Sequence, residues 1–180
     1  MRRPLAVAVP IALVLAGCSG DDGDAAPADG VENDALCLDG ERFDEPVVDW
    51  IEPAIDLAVE TYGDPDFFEI SADLQRVSVI VAVDGTAEQL FYCGDAGSVP
   101  PTSLGEASGS TFGPDAVAFD PAAIFVEPDA DLDDPEIGDF AIIGDGEGGV
   151  VYDASILSDA GGVLLVRLGP DGAVLAVQAQ

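Results

Sequence analysis

Between Arg76 and Asp84 the chain reads Val77-Ser78-Val79-Ile80-Val81-Ala82-Val83, with valine at every odd position and Ser, Ile or Ala at the even ones. A period of two in β-branched residues specifies a strand, because successive side chains leave opposite faces of a sheet. The valine face is therefore expected to be core, and the other face half covered, by a helix. The same period recurs at 67–71, 88–93, 140–143, 150–153, 163–168 and 173–179. Asp84-Gly85 and Gly169-Pro170-Asp171-Gly172 supply hairpin turns, the second being the strongest turn signal in the chain.

One stretch departs from this rhythm. Over 44–63, Val47, Ile51, Ile55, Ala58 and Tyr62 recur at three- and four-residue spacing, with Asp49, Glu52, Asp56 and Glu60 between them. That pattern predicts an amphipathic helix. Pro53 requires it either to start near Trp50 or to kink, and Gly63 before Asp64-Pro65 stops it. The segment 94–114 is rich in Gly, Ser, Thr and Pro without a period, and reads as a long surface loop. Asp120-Pro121-Ala122-Ala123 suggests a short helical turn, and an acidic loop follows over 127–139. The expected fold is α+β: an antiparallel sheet of about seven strands with one N-terminal amphipathic helix packed on it. The hairpins at 77–92 and 163–178 hint at two similar halves. A helix followed by strands with an Asp-Gly turn resembles the PepSY-type domains of exported proteins, but no signature residue of that family is matched and nothing is carried over from it.

Charge sets the chemistry that is open to the chain. Of its 180 residues 36 are acidic and five are arginine, with no lysine and no histidine, giving −31. Schiff-base chemistry, a P-loop lysine, histidine-based triads and imidazole metal sites are all excluded. Nucleic-acid binding is not expected, since it needs clustered cations. Mutual repulsion favours a soluble monomer, and screening of that repulsion should raise the melting temperature between low and molar NaCl.

The first residues carry Arg2 and Arg3, an apolar run over 5–15 and then Leu15-Ala16-Gly17-Cys18. The layout is that of an export signal, too short for a helix spanning about 30 Å of hydrocarbon. Leu15-Ala16-Gly17-Cys18 resembles the lipobox of bacterial lipoproteins. The resemblance implies cleavage before Cys18, a lipid on that cysteine, and a place at the extracytoplasmic face of the cell membrane. Arg2-Arg3-Pro4 leaves Sec and twin-arginine export both open. Cleavage removes two arginines and no acid, taking the charge from −31 to −33. The implied organisation is a signal peptide over 1–17, an acidic flexible tether over 18–34 and a single domain over 35–180.

Cys37 and Cys93 remain after Cys18 is set aside, and in an exported chain without a Cys-x-x-Cys motif they are expected to form a structural disulfide. Alternating acids Asp129, Asp131 and Asp133 begin like a calcium loop, but Asp134 and Phe140 occupy the positions where an EF-hand needs glycine and glutamate. A weak calcium site is thus an alternative reading, with no cofactor as the main one. No catalytic motif is present: Asp84-Gly85-Thr86 is not the aspartic-protease triplet, and neither Gly-x-Ser-x-Gly nor Ser-x-x-Lys occurs. A carboxylate-dependent hydrolase is the remaining enzymatic alternative, requiring two close acids in a cleft, at least one of them buried. Trp50 and Phe112 are expected in the core. Arg42, Arg76 and Arg167 are expected to pair with carboxylates, the last two across strands. The resulting expectation is a noncatalytic lipid-anchored protein that binds or scaffolds a protein or small-ligand partner.

Overall fold

The structure, a computed structural model, describes Cys37 and residues 42–120, 136–157 and 162–179. The chain divides after Val31, and all of these residues belong to the second unit, Glu32–Gln180. A single 3-10 turn, Val48–Trp50, leads directly into helix α1, Ile51–Tyr62. Pro53 falls in the first turn of α1, where its missing N–H costs nothing, so the helix starts at Ile51 and has no kink to accommodate. Gly63 ends it at φ 95°, donating its N–H to the Val59 carbonyl at 2.8 Å.

Eight strands follow: β1 Asp66–Ala72, β2 Val77–Val83, β3 Thr86–Tyr92, β4 Ser98–Glu106, β5 Glu136–Gly144, β6 Val150–Leu157, β7 Val163–Leu168 and β8 Val174–Ala179. They form one antiparallel sheet in the order β4-β3-β2-β1-β5-β6-β7-β8. Each half is a four-stranded meander, and the halves meet where β1 pairs with β5, Ile70 opposite Ile142 and Ala72 opposite Phe140. Spatially the halves mirror each other more fully than two Asp-Gly hairpins suggest.

The strand missing from the expected seven is β4, which lies within the segment 94–114 that reads as a loop. Pro100 and Pro101 hide it from pattern reading, and they are tolerated because β4 is an edge strand whose outward N–H groups need no partner. The cover of the sheet also differs from expectation. Ile51, Ala54 and Ala58 of α1 pack in one core with Val77, Val79 and Val81, so the helix lies on the valine face and not on the half-covered one. The small side chains of Ala54 and Ala58 let the helix backbone approach the sheet.

Core rows run straight across the strands. Val77, Ala72, Phe140, Ala154 and Val166 are successive cross-strand partners, and all are buried. The opposite face holds polar partners, including Gln89 Nε2 donating to Ser78 Oγ at 2.8 Å and Ser155 Oγ donating to Asp139 at 3.0 Å. Of the two aromatics expected in the core, Phe112 is buried there, whereas Trp50 is half-buried and packs against its margin. Phe112 stacks on Phe67 with centroids 5.8 Å apart, and the two backbones exchange hydrogen bonds. Trp50 lies over Gly94, where φ is +59° and a Cβ would sit 2.5 Å from the indole, so glycine is required twice over.

Candidate functional site

A concavity with walls from separate parts of the chain lies on the core side of the sheet. Its volume is about 380 Å³, and it runs between the start of α1 and residues 114–119. Ile51 and Ile55 form the helix wall, Val117 and Phe119 the opposite wall, and Asp49 and Glu52 the rim. Ile55 belongs to the apolar stripe read from the sequence, yet it is only half-buried and turns to this groove while Ala54 takes the core position.

The second wall has no helix or strand to hold it, and side chains hold it in place instead. Tyr152 Oη donates to the Ala118 carbonyl at 2.9 Å and accepts from the Ala118 N–H at 3.1 Å. Phe119 packs on Phe140 and Tyr152 with centroids 5.4 and 5.7 Å away, and the Asp120 N–H reaches the Pro170 carbonyl at 3.2 Å. The wall is thus fastened to β5, β6 and the β7–β8 turn, while the helix wall is fastened to β1–β3. A groove with an apolar floor, two carboxylates at its rim and no cation in its lining suits an apolar ligand or side chain, with a positive group placed toward Asp49 and Glu52. Pattern reading misses this site because 114–119 has no period. The available signal is four apolar residues, Ala116, Val117, Ala118 and Phe119, immediately after Pro114-Asp115.

A second hollow of about 480 Å³ is lined by residues 43–50 alone. It offers one wall, from a single short stretch of chain.

Cys37 and Cys93 form a disulfide, with Cα atoms 5.5 Å apart and a sequence separation of 56. With Val99 and Phe91 they make a small cluster separate from the main core. Phe91 faces away from α1, opposite Ser78, so the bridge ties the N-terminal segment to the back of β3 and β4. Arg76, expected to pair across strands, instead meets Asp73 three residues earlier at 3.4 Å and lies over the Phe91 ring at 4.3 Å. It sits at the β1–β2 turn, one residue before β2, and its guanidinium reaches across to β3 at Phe91. Arg167 does pair across strands. Its Nε and Nη2 donate to the two carboxylate oxygens of Asp153 at 2.9 and 3.0 Å. Asp153 is the buried acid among the described residues, and both its oxygens are engaged by that arginine.

Near the end of α1, Tyr62 Oη donates to Glu88 Oε2 at 3.2 Å. Burial and the neighbouring carboxylate push the phenol up to about 12. Among the described residues no group of three His, Cys, Asp or Glu is placed to hold a metal ion. The calcium candidates Asp129, Asp131 and Asp133 lie outside the described residues, as does Cys18. Asp139, from the end of the same acidic stretch, is in β5 and accepts from Ser155. No described helix is long and apolar enough to cross a membrane.

No protein-family profile and no curated protein matches this chain. Among solved structures, it is similar in fold to a candidate lipoprotein from Clostridium difficile 630. The likeness covers 78% of this chain and 96% of the other, with a TM-score of 0.52 and 14% sequence identity. At that identity it is a likeness of fold.

Proposed function

We propose that this chain is a lipid-anchored extracytoplasmic protein with a noncatalytic binding or scaffolding role. The observation that carries the reading is Leu15-Ala16-Gly17-Cys18 placed just after a short apolar run and just before an acidic stretch. The fold likeness to a candidate lipoprotein supports it. Lipidated Cys18 holds the protein at the membrane, and a tether over 18–34 allows the domain to stand off by at most about 60 Å. Two or more acyl chains on Cys18 make the anchor stable where one chain is marginal. The groove between α1 and 114–119 is the binding site in this reading, and its occupant is an apolar group with a cationic end.

Mass spectrometry of the mature N-terminus tests the anchor directly: a lipid-modified Cys18 as first residue is expected, and an unmodified Cys18 would end the reading. Cys18→Ala should move the protein from the membrane to the soluble fraction. The groove is tested separately. Ile55→Asp should abolish partner recovery from membranes while leaving the lipid modification and the folded sheet intact.

A further inference from the structure

The groove and the second hollow adjoin. Val48 and Asp49, in the 3-10 turn before α1, line both of them. On one side of that turn lies the apolar groove, and on the other an open shelf made by residues 43–50. The shelf is fixed to the β1–β2 turn by its backbone. The Phe43 N–H donates to the Leu74 carbonyl at 2.9 Å, and the Val47 N–H to the Asp73 carbonyl at 3.0 Å. Phe43 and Trp50 meet edge to face on it, with centroids 5.4 Å apart.

Every charged residue that lines the two is an acid. Asp44, Glu45 and Asp49 belong to the shelf, Asp49 and Glu52 to the groove, and all four are exposed. Arg76, in the turn that holds the shelf, is paired with Asp73 and lies over Phe91 on the other face of the sheet. Arg167 is engaged by Asp153, which leaves Arg42, next to Phe43, as the nearest further cation in sequence. Residues 38–41, 121–135 and 158–161 contain acids but neither Lys nor Arg, so wherever they lie they add no cation to this face. A second copy of the chain has the same shortage, with 36 acids against three arginines once Arg2 and Arg3 are removed. The positive charge that complements these carboxylates must therefore come from a different molecule.

We infer that groove and shelf together bind an extended basic segment of a partner protein, with one apolar side chain in the groove between Ile55 and Phe119 and Lys or Arg side chains to either side of it. This rests on the reading of the groove as the binding site, and widens its occupant from one cationic end to a run of cations. A small amine meets the rim of the groove and leaves Asp44 and Glu45 without a partner. The shelf has a single wall, so it holds only what is anchored next to it. The groove supplies that anchor, since about 380 Å³ with apolar walls suits one large side chain. One chain carrying both kinds of group satisfies both places. Opposite charge then speeds encounter and fixes register, and the buried apolar side chain slows release. Screening by salt weakens the first effect and spares the second.

Calorimetric and fluorescence titration of the full chain in neutral detergent tests the inference. The probe is the end-blocked peptide Ala-Lys-Lys-Leu-Lys-Lys-Ala, set against Ala-Lys-Lys-Gly-Lys-Lys-Ala, Ala-Gln-Gln-Leu-Gln-Gln-Ala and hexylamine. The first peptide should bind about tenfold or more tightly than each of the others, and should weaken by about tenfold from low to molar NaCl. Emission of Trp50, the only tryptophan, should shift with this peptide and not with hexylamine, because Trp50 lines the shelf and not the groove. Asp44→Asn with Glu45→Gln should weaken the peptide by about tenfold and leave hexylamine unchanged. Ile55→Asp should erase the preference for leucine over glycine. If hexylamine binds as tightly as the peptide and the shelf variant alters neither, the basic segment is wrong while the groove stands. If no probe binds, or Ile55→Asp changes nothing, the groove reading falls with it. Equal binding of the leucine and glycine peptides would reduce the contact to attraction by net charge and overturn the proposal. So would binding that emerges only in Phe125→Ser, which would give the groove to the chain's own residues 121–135.

Discussion

The halves of the sheet have the same four-stranded course but are held by different means. β1–β4 are covered by α1 through Ile51, Ala54 and Ala58, and are cross-linked at the back by Cys37–Cys93. β5–β8 have no helix among the described residues; residues 112–119, the aromatic pair Phe140 and Tyr152, and the Asp153–Arg167 ion pair do the corresponding work. A meander can thus be closed either by a periodic helix or by an irregular strap pinned by a few side chains. The second solution leaves more of its sheet accessible, as Val177 shows.

Phe112 belongs to both solutions, since it is carried by the strap yet stacks on Phe67 of β1. Phe112→Ala should cost about 3–5 kcal/mol, the range for truncating a buried phenylalanine, in urea denaturation. Loss much below that range would mean that the strap collapses to fill the space and does not bridge the halves. Removing the disulfide by Cys37→Ser with Cys93→Ser should cost about 2–4 kcal/mol. Hydrogen exchange should then show faster opening of β3 and β4, with β5–β8 unchanged. Equal loosening of both halves would show that they open as one unit, which would erase the contrast.

The ion pair gives the reciprocal test. Arg167 is 46% exposed on its side chain while Asp153 is buried, so the energetic weight lies in not leaving the carboxylate alone. Arg167→Ala should cost about 1–3 kcal/mol, loosening β6–β8 and sparing β1–β3. Arg167→Ala combined with Asp153→Ala should recover part of that loss, because no buried charge remains. A double variant no better than the single one would place the effect in lost packing of the arginine stem.

The same contrast explains what was legible in the sequence. Strands with alternating apolar residues, such as Val77–Val83, and the helix with its Gly63 stop follow from local periodicity. Phe112 and the Cys37–Cys93 pair could be assigned because an isolated aromatic and two leftover cysteines have few places to go. β4 could not, because its edge position makes prolines permissible and position in a sheet is not a local property. The face chosen by α1 was equally hidden. Period two separates two faces without saying which one a helix will take, and here the choice rests on Ala54 and Ala58 lying against Val77, Val79 and Val81. The groove arises from two segments about sixty residues apart, held together by Tyr152 bonding to Ala118, and no spacing within either segment encodes that bond.

The smallest expected effect concerns how the first half is fastened at its rim. Tyr62 on α1 donates to Glu88 on β3, and its phenol is pushed from 10.0 to about 12. In the unfolded chain the phenol titrates near its ordinary value, so the folded state binds the proton more tightly. The stabilisation linked to this group is complete below about pH 10 and is lost as pH rises through about 12. Denaturation midpoints should therefore fall over that window, and Tyr62→Phe should flatten the fall while lowering stability only slightly at neutral pH. Absorbance titration of the phenols should show one late-titrating tyrosine that disappears in Tyr62→Phe. If the alkaline loss persists unchanged in that variant, the helix rim is not where the first half yields to alkali, and other groups in the sheet must account for it.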